Sequence, residues 1–277
     1  MKAAALILAT ALLGGAQAPR DPHSPLRVVD TTPPAIPAEV QRGAVLVFSK
    51  TNGWRHIEHL PHSGPVITAI AGRDCTPTFA TENAAVFNPA DLKRFSVVVL
   101  NSNSGDAFAP AQRQAFTDWI RAGGGVVALH ASGGDSRYDW PFYVERIIGA
   151  QFIGHPGGKD HFQRARILVD RPAHPVMKGV TLPWEPVDEW YSFAPPAPGA
   201  GNTVLARVDE RSYRPGAKLA MGDNHPIVWT RALDRGRIVY SAIGHTPEAY
   251  DDPRYRRLIA NAIGWVRRGK APGCGGR

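Results

Sequence analysis

Short, wholly apolar runs alternate with longer amphipathic stretches along most of this chain. Ala44–Ser49, Val97–Leu100 and Val126–Leu129 are apolar at nearly every position and rich in valine. That is the pattern of strands buried on both faces. Thr76–Ala80 predicts a further strand. Between the runs, His62–Ala71 and Phe142–Ile148 predict helices. Asn88-Pro89-Ala90-Asp91-Leu92 opens a short helix, with Asn88 as N-cap and Pro89 at the first helical position. Pro110–Arg121 has apolar residues at helical spacing (Ala111, Ala115, Trp119) and stops at Gly123-Gly124-Gly125. Strands alternating with helices predict an α/β fold, a mostly parallel sheet with helices on both faces.

The middle of the chain, Gln151–Tyr213, breaks this rhythm. Arg164–Asp170 and Thr203–Val208 read as strands, with Trp184–Phe193 between them, and Pro/Gly loops join them. The expectation is an inserted β/loop region, a cap beside the sheet. The parallel pattern is expected to resume with Ile227–Thr230 and Ile238–Ile243. An amphipathic helix from Pro253 to Arg268 closes the fold, with Leu258, Ile259, Ala262, Trp265 and Val266 on its inner side. No internal repeat is evident.

The chain ends refine this picture. Lys2, the apolar stretch Ala3–Leu13 and Ala16-Gln17-Ala18 read as a secretory signal peptide over 1–18, cleaved after Ala18. The apolar stretch is too short to span a bilayer. A periplasmic or secreted protein, without stable membrane insertion, is therefore expected. Residues 19–43 read as a Pro-rich linker, 44–269 as the folded domain and 270–277 as a flexible tail. A hydrophobic share of 43% suffices for a core. The net charge of +8 is spread over scattered arginines with no nucleic-acid motif, so a solvated basic surface is expected and no nucleic-acid partner. Cys75 and Cys274 are the only cysteines. Export would permit their pairing, but sequence cannot supply the geometry. Oligomeric state is left open.

Candidate chemistry gathers around histidines at element junctions. His56, His130 and His245 each follow a strand-like run closely. Loops after the strands of an open α/β sheet converge on one edge, where ligands bind. The stretch from Gly123 through His130 to Gly134 runs a buried strand into a small-residue turn, similar to a nucleophile elbow with His130 at the corner. His130 is read as a general base or metal ligand; the bland alternative is a histidine capping the strand end. Ser132 lacks the G-x-S-x-G context of a nucleophile. Arg55 is a candidate for stabilising negative charge on a carbonyl oxygen, or else a structural anchor. Asp188-Glu189-Trp190-Tyr191 sets carboxylates beside aromatics, with Glu189 as candidate acid and Trp190 and Tyr191 as a sugar-ring platform, or else forms an ordinary strand. His56 and His225 are candidates for substrate binding. His130, His155 and His245 are candidate ligands for a divalent metal ion gathered from distant loops. No G-x-x-x-x-G-K-[ST] or G-x-G-x-x-G occurs, so no nucleotide cofactor is expected.

Taken together, Val47-Phe48-Ser49-Lys50-Thr51, Gly53-Trp54-Arg55-His56, Gly123 through His130, Tyr138-Asp139-Trp140-Pro141, Gly154-His155-Pro156, Asp188 through Tyr191, Gly222 through Ile227 and Gly244-His245-Thr246 resemble the ThuA-like (trehalose-utilisation) family. The similarity runs from Ala44 to Gly269. It implies a flavodoxin-like fold of the class I glutamine amidotransferase-like superfamily. Amidotransferases there have a Cys at the elbow; the matching position here is His130, so glutamine hydrolysis is not expected. The resemblance further implies catabolism of trehalose or a related disaccharide, through 3-keto-sugar intermediates. The leading expectation is an enzyme that acts on a small carbohydrate, a hydrolase, lyase or isomerase of keto-sugars. The rival expectation is a non-catalytic carbohydrate-binding protein.

Overall fold

The structure, a computed structural model, describes residues 21–135 and 138–267. The expected signal peptide, the tail and Cys274 lie outside the described residues. Cys75 is disulfide-bonded.

The first half follows the predicted alternation: β1 (Ala44–Phe48), α1 (Leu60–Ala71), β2 (Thr78–Thr81), α2 (Pro89–Leu92), β3 (Phe95–Asn101), α3 (Pro110–Arg121) and β4 (Gly125–Leu129). Asn88 caps α2 as expected, accepting from the backbone N–H groups of Ala90 and Asp91. The helix predicted over Phe142–Ile148 is a π-helical turn, Tyr143–Ile148. Short strands follow: β5 (Phe152–Gly154), β6 (Gln163–Arg164), β7 (Ile167–Val169), β8 (Val187–Asp188), β9 (Ser192–Phe193) and the longer β10 (Asn202–Val208). The chain closes with β11 (Pro226–Leu233), β12 (Gly236–Ser241), α4 (Pro247–Asp251) and α5 (Pro253–Val266).

Eight strands form one sheet in the order β2-β1-β3-β4-β12-β11-β10-β7. Pairings from β2 through β12 are parallel. Those of β12 with β11, β11 with β10 and β10 with β7 are antiparallel. Every residue of β1 and β4 is buried, which requires cover on both faces of the sheet. α1, α4 and α5 pack on one another and α5 on β3, β4 and β12, while α2 packs on α3.

Three expectations need correction. β11 is not parallel to its neighbours, because only Asp234 and Arg235 separate it from β12, and so short a turn joins antiparallel strands. The middle segment does not lie wholly beside the sheet: β7 and β10 extend it, and only the pairs β5–β9 and β6–β8 form separate small sheets. The run predicted as one strand over Arg164–Asp170 is thereby split between two sheets. The expected linker also lies against the domain from Asp21 onward. The Asp30 carboxylate pairs with buried Lys50 at 2.5 Å and accepts from the Ala84 N–H, and the Asn52 side chain bonds both backbone groups of Val28.

No helix among the described residues is long and apolar enough to cross a membrane. β1, β3, β4 and β12 run parallel, so the loops after them open at one edge of the sheet.

Candidate functional site

That edge gathers imidazoles from loops far apart in sequence. His56 and His59 lie between β1 and α1, His130 follows β4, and His245 lies between β12 and α4. All four are buried. Glu189 follows β8, with His155 and His161 beside it.

His130 occupies the corner that the sequence suggested. Its φ of 46° lies in the left-handed region, a conformation costing a side chain about 1 kcal/mol or more. The Tyr240 hydroxyl donates to its carbonyl at 3.0 Å and holds the turn. Its Nδ1–H donates to the Ala242 carbonyl at 2.9 Å, which leaves Nε2 as the acceptor facing the cluster. Around Nε2 lie the Tyr191 hydroxyl at 3.0 Å, His245 Nδ1 at 3.2 Å and Glu189 Oε2 at 3.4 Å.

Glu189 sits at the centre. His245 Nδ1 is 2.9 Å from its Oε2. Its Oε1 meets His155 Nδ1 at 3.1 Å and a close hydrogen bond from His161 Nε2. Burial alone would raise the Glu189 carboxyl, but the neighbouring imidazoles of His130, His161 and His245 together outweigh it and hold the group well below the usual carboxylate range. Asp188 is fully buried and locks the arrangement from behind. Its carboxylate accepts the backbone N–H groups of Gly244 (2.8 Å), His245 (3.0 Å) and Glu189 (2.9 Å). Burial raises the Asp188 carboxyl.

The histidines differ in electrostatics. Burial, and then the neighbouring His130 and His245, push His56 well below the usual imidazole value. Burial likewise takes His59 down to about 2. His155 is lowered by burial, with Glu189 opposing. His161 is raised, chiefly by its bond to Glu189. Burial, then the Glu189 charge, keeps Tyr191 protonated well above its ordinary range.

A cavity of about 770 Å³ opens above this group. Glu189, His155, His161 and His245 reach it, and Trp54, Phe152, Phe162 and Tyr191 supply aromatic wall. Gly134 makes room for one of these, since a β-carbon there would lie 2.3 Å from the Tyr191 ring.

The structure thus brings together His56, His130, His155, Glu189, Tyr191 and His245. Four other residues considered in the sequence stand apart from the cavity. Arg55 is turned away, bound through its guanidinium to Glu82 (2.7 and 3.0 Å) and Thr51 (3.0 Å). Trp190 is 1% exposed and donates from Nε1 to the Gln163 carbonyl. Adjacent side chains of an extended segment point opposite ways; Glu189 and Tyr191 take the cavity side, so Trp190 takes the core. His225 is fully buried, donating from Nε2 to the Tyr191 carbonyl at 2.8 Å, with Nδ1 against Glu210 and Tyr213. It positions Tyr191 and cannot touch a ligand. Ser132 is buried and donates to the Leu100 carbonyl.

The donor sets for a metal also regroup. His56, His130, Glu189 and His245 each offer a ligand atom within 4.8 Å of the others, and so do His155, His161 and Glu189. His155, grouped in sequence with His130 and His245, belongs to the second set. Sequence reading missed His59, His161 and Trp54. The first was signalled by its spacing of three from His56, and the second only by its place beside Phe162.

A sequence profile of the ThuA family, described as trehalose utilisation, matches residues 44–266. A ThuA-like protein from Bacteroides uniformis is similar at 24% identity and a TM-score of 0.68, over 85% of this chain and 95% of its own. One from Parabacteroides merdae is similar at 20% identity and a TM-score of 0.63, over 84% and 92%. A β-galactosidase from Rahnella sp. R3 is similar at 13% identity and a TM-score of 0.52, over 82% of this chain but 32% of its own. At these identities the likeness is one of fold. No curated protein matches the chain.

Proposed function

The chain belongs to the ThuA, trehalose-utilisation family, and we propose that it is a carbohydrate-active enzyme that cleaves an oxidised disaccharide, a 3-keto-glycoside, by imidazole–carboxylate proton transfer. One observation carries this reading: two half-exposed imidazoles, His155 and His161, share one oxygen of a buried carboxylate at the foot of an aromatic-walled cavity. The aromatic wall suits the apolar faces of sugar rings. The paired imidazoles suit a reaction that needs one proton removed and another delivered.

A ketone at C3 acidifies the hydrogen on C2. One imidazole of the pair removes that proton. The electron pair left on C2 becomes the C1–C2 double bond as the C1–O bond breaks. The departing oxygen takes a proton from the other imidazole. An unsaturated keto-sugar and the freed alcohol result. Glu189 orients His161 through Oε1 and lies 3.1 Å from His155 Nδ1, which the Pro156 carbonyl also holds at 2.9 Å, while the Tyr191 ring forms part of the cavity wall. Arg55 and Trp190, candidates on sequence, have no part in this scheme. The signal-like first 18 residues support action outside the cytoplasm, which N-terminal sequencing of protein recovered from the periplasm would check.

His155→Ala and His161→Ala should each lower turnover of a 3-keto-disaccharide by about 10²–10⁴-fold while the thermal transition is kept. Product analysis decides the matter. Recovery of the intact sugar from wild-type protein that binds it would make the chain a carbohydrate-binding module and end the enzymatic reading.

A further inference from the structure

Beneath the histidine pair, His130 Nε2, His245 Nδ1 and Glu189 Oε2 form a triangle with edges of 3.2, 3.4 and 2.9 Å. Ligand atoms at the usual 2.0–2.1 Å from a tetrahedral zinc ion lie about 3.3 Å from one another. The triangle therefore has the dimensions of one face of such a shell. A ligand atom of His56 lies within 4.8 Å of the other three, in position for the remaining vertex. We infer that His56, His130, His245 and Glu189 bind one divalent transition-metal ion at the floor of the cavity.

Five features support the assignment. The donors are three imidazoles and one carboxylate, a set suited to zinc, cobalt or nickel and unlike the all-oxygen shells of magnesium and calcium. With neutral imidazoles and an ionised carboxylate, the bond of His130 Nδ1–H to Ala242 leaves a single N–H, on His245, along the three edges of the triangle; the Tyr191 hydroxyl reaches His130 Nε2 from outside it. A proton relieves one close contact, whereas a cation relieves all three. The Nδ1–H bond of His130 to a backbone carbonyl is the outer contact that fixes a ligand histidine's tautomer, with Nε2 left for the ion. Asp188, through the N–H groups of Glu189 and His245, sets two of the ligands relative to each other. Lastly, His56 Nδ1 is buried with no hydrogen-bond partner, a vacancy that native interiors rarely keep.

This inference goes beyond the acid–base reading and stands without it. His56, Glu189 and His245 border the cavity, so the ion lies within a carboxylate's width of the substrate. It would hold Glu189 in place, with Oε1 left for His155 and His161.

The test uses the full chain, stripped with a chelator and titrated with Co²⁺ alone. One equivalent should bind per chain, with visible absorption of a low-coordinate nitrogen–oxygen site, and Zn²⁺ should displace it. His130→Gly relieves the left-handed backbone and removes only the ring. It and His245→Ala should weaken Co²⁺ binding by more than about 100-fold, with native far-UV circular dichroism. His161→Ala should change the affinity by only a few-fold. The assignment is overturned if no Co²⁺ binds, if binding survives the loss of His130 or His245, or if it vanishes with His161, which would move the ion to the outer pair. Turnover assayed in parallel separates the two readings. A protein that turns over keto-sugars yet takes up no Co²⁺ ends this one alone; a metal-loaded protein inert on keto-sugars ends only the proposed reaction.

Discussion

Asp188 and Glu189 are neighbours in sequence with opposite tasks. Asp188 never reaches the cavity; it accepts three backbone N–H groups in a wholly buried setting. Asp188→Ala leaves those donors unpaired, each worth about 1–3 kcal/mol. Urea denaturation should show a loss of at least about 3 kcal/mol, with activity abolished, while Asp188→Asn, which keeps one acceptor oxygen, should lose less. A loss below about 1 kcal/mol would show that the loop of His245 is held by other means. At this scale the sequence was a partial guide. The dyad and the elbow histidine stood out, but the division of labour depends on which way each peptide faces. That alternation sent Trp190 into the core and Tyr191 to the cavity.

Among the elements, the segment from Asp21 to Arg42 departs most from expectation. Its Pro-rich, unpatterned sequence suggested a tether because nothing in it repeats at a helix or strand period. It is held by specific contacts that leave no periodic trace. The His23 ring stacks on Trp54 at 4.5 Å and bonds Asp21 and Glu58. Its pKa is raised, chiefly by Glu58, above the ordinary 6.5. A raised histidine contributes fully below its unfolded value, and the contribution fades as pH climbs through the folded value. Asp21 is lowered by its bonds from His23. Glu58 is also lowered: burial raises it, but the bond from His23 and its own backbone N–H together outweigh that. Their contributions fade as pH falls through those lowered values. Docking of this segment should therefore be strongest in mildly acidic solution, loosening above the raised histidine value and again in strong acid. Trp54 fluorescence across pH would report it, and His23→Ala should flatten the alkaline limb. An unchanged alkaline limb in that variant would assign the loosening to another group.

For the whole molecule, the parallel half of the sheet was legible because β1, β3 and β4 are apolar on both faces and punctuated by caps and glycines. The antiparallel half was not. Its strands are short, divided between sheets, and paired through contacts that no local pattern encodes. The histidine cluster was legible as a list of residues following strands, yet its membership was settled by loop geometry. His161 and His59 joined, while His225 and Arg55 were taken up by neighbouring carboxylates. Because the ligands come from loops after β1, β4, β8 and β12, loop closure over most of the chain precedes the site. On refolding from urea, Co²⁺ binding and turnover should recover later than the far-UV signal; simultaneous recovery would mean that the edge forms with the sheet itself.

The position of β12, inserted between β4 and β11 although it is among the last strands made, has a further consequence. His56 and His130 are set side by side by the loops after β1 and β4, whereas His245 reaches them only at the end of β12. A chain that ends before β12 should therefore bind Co²⁺ poorly, however well its first four strands pair.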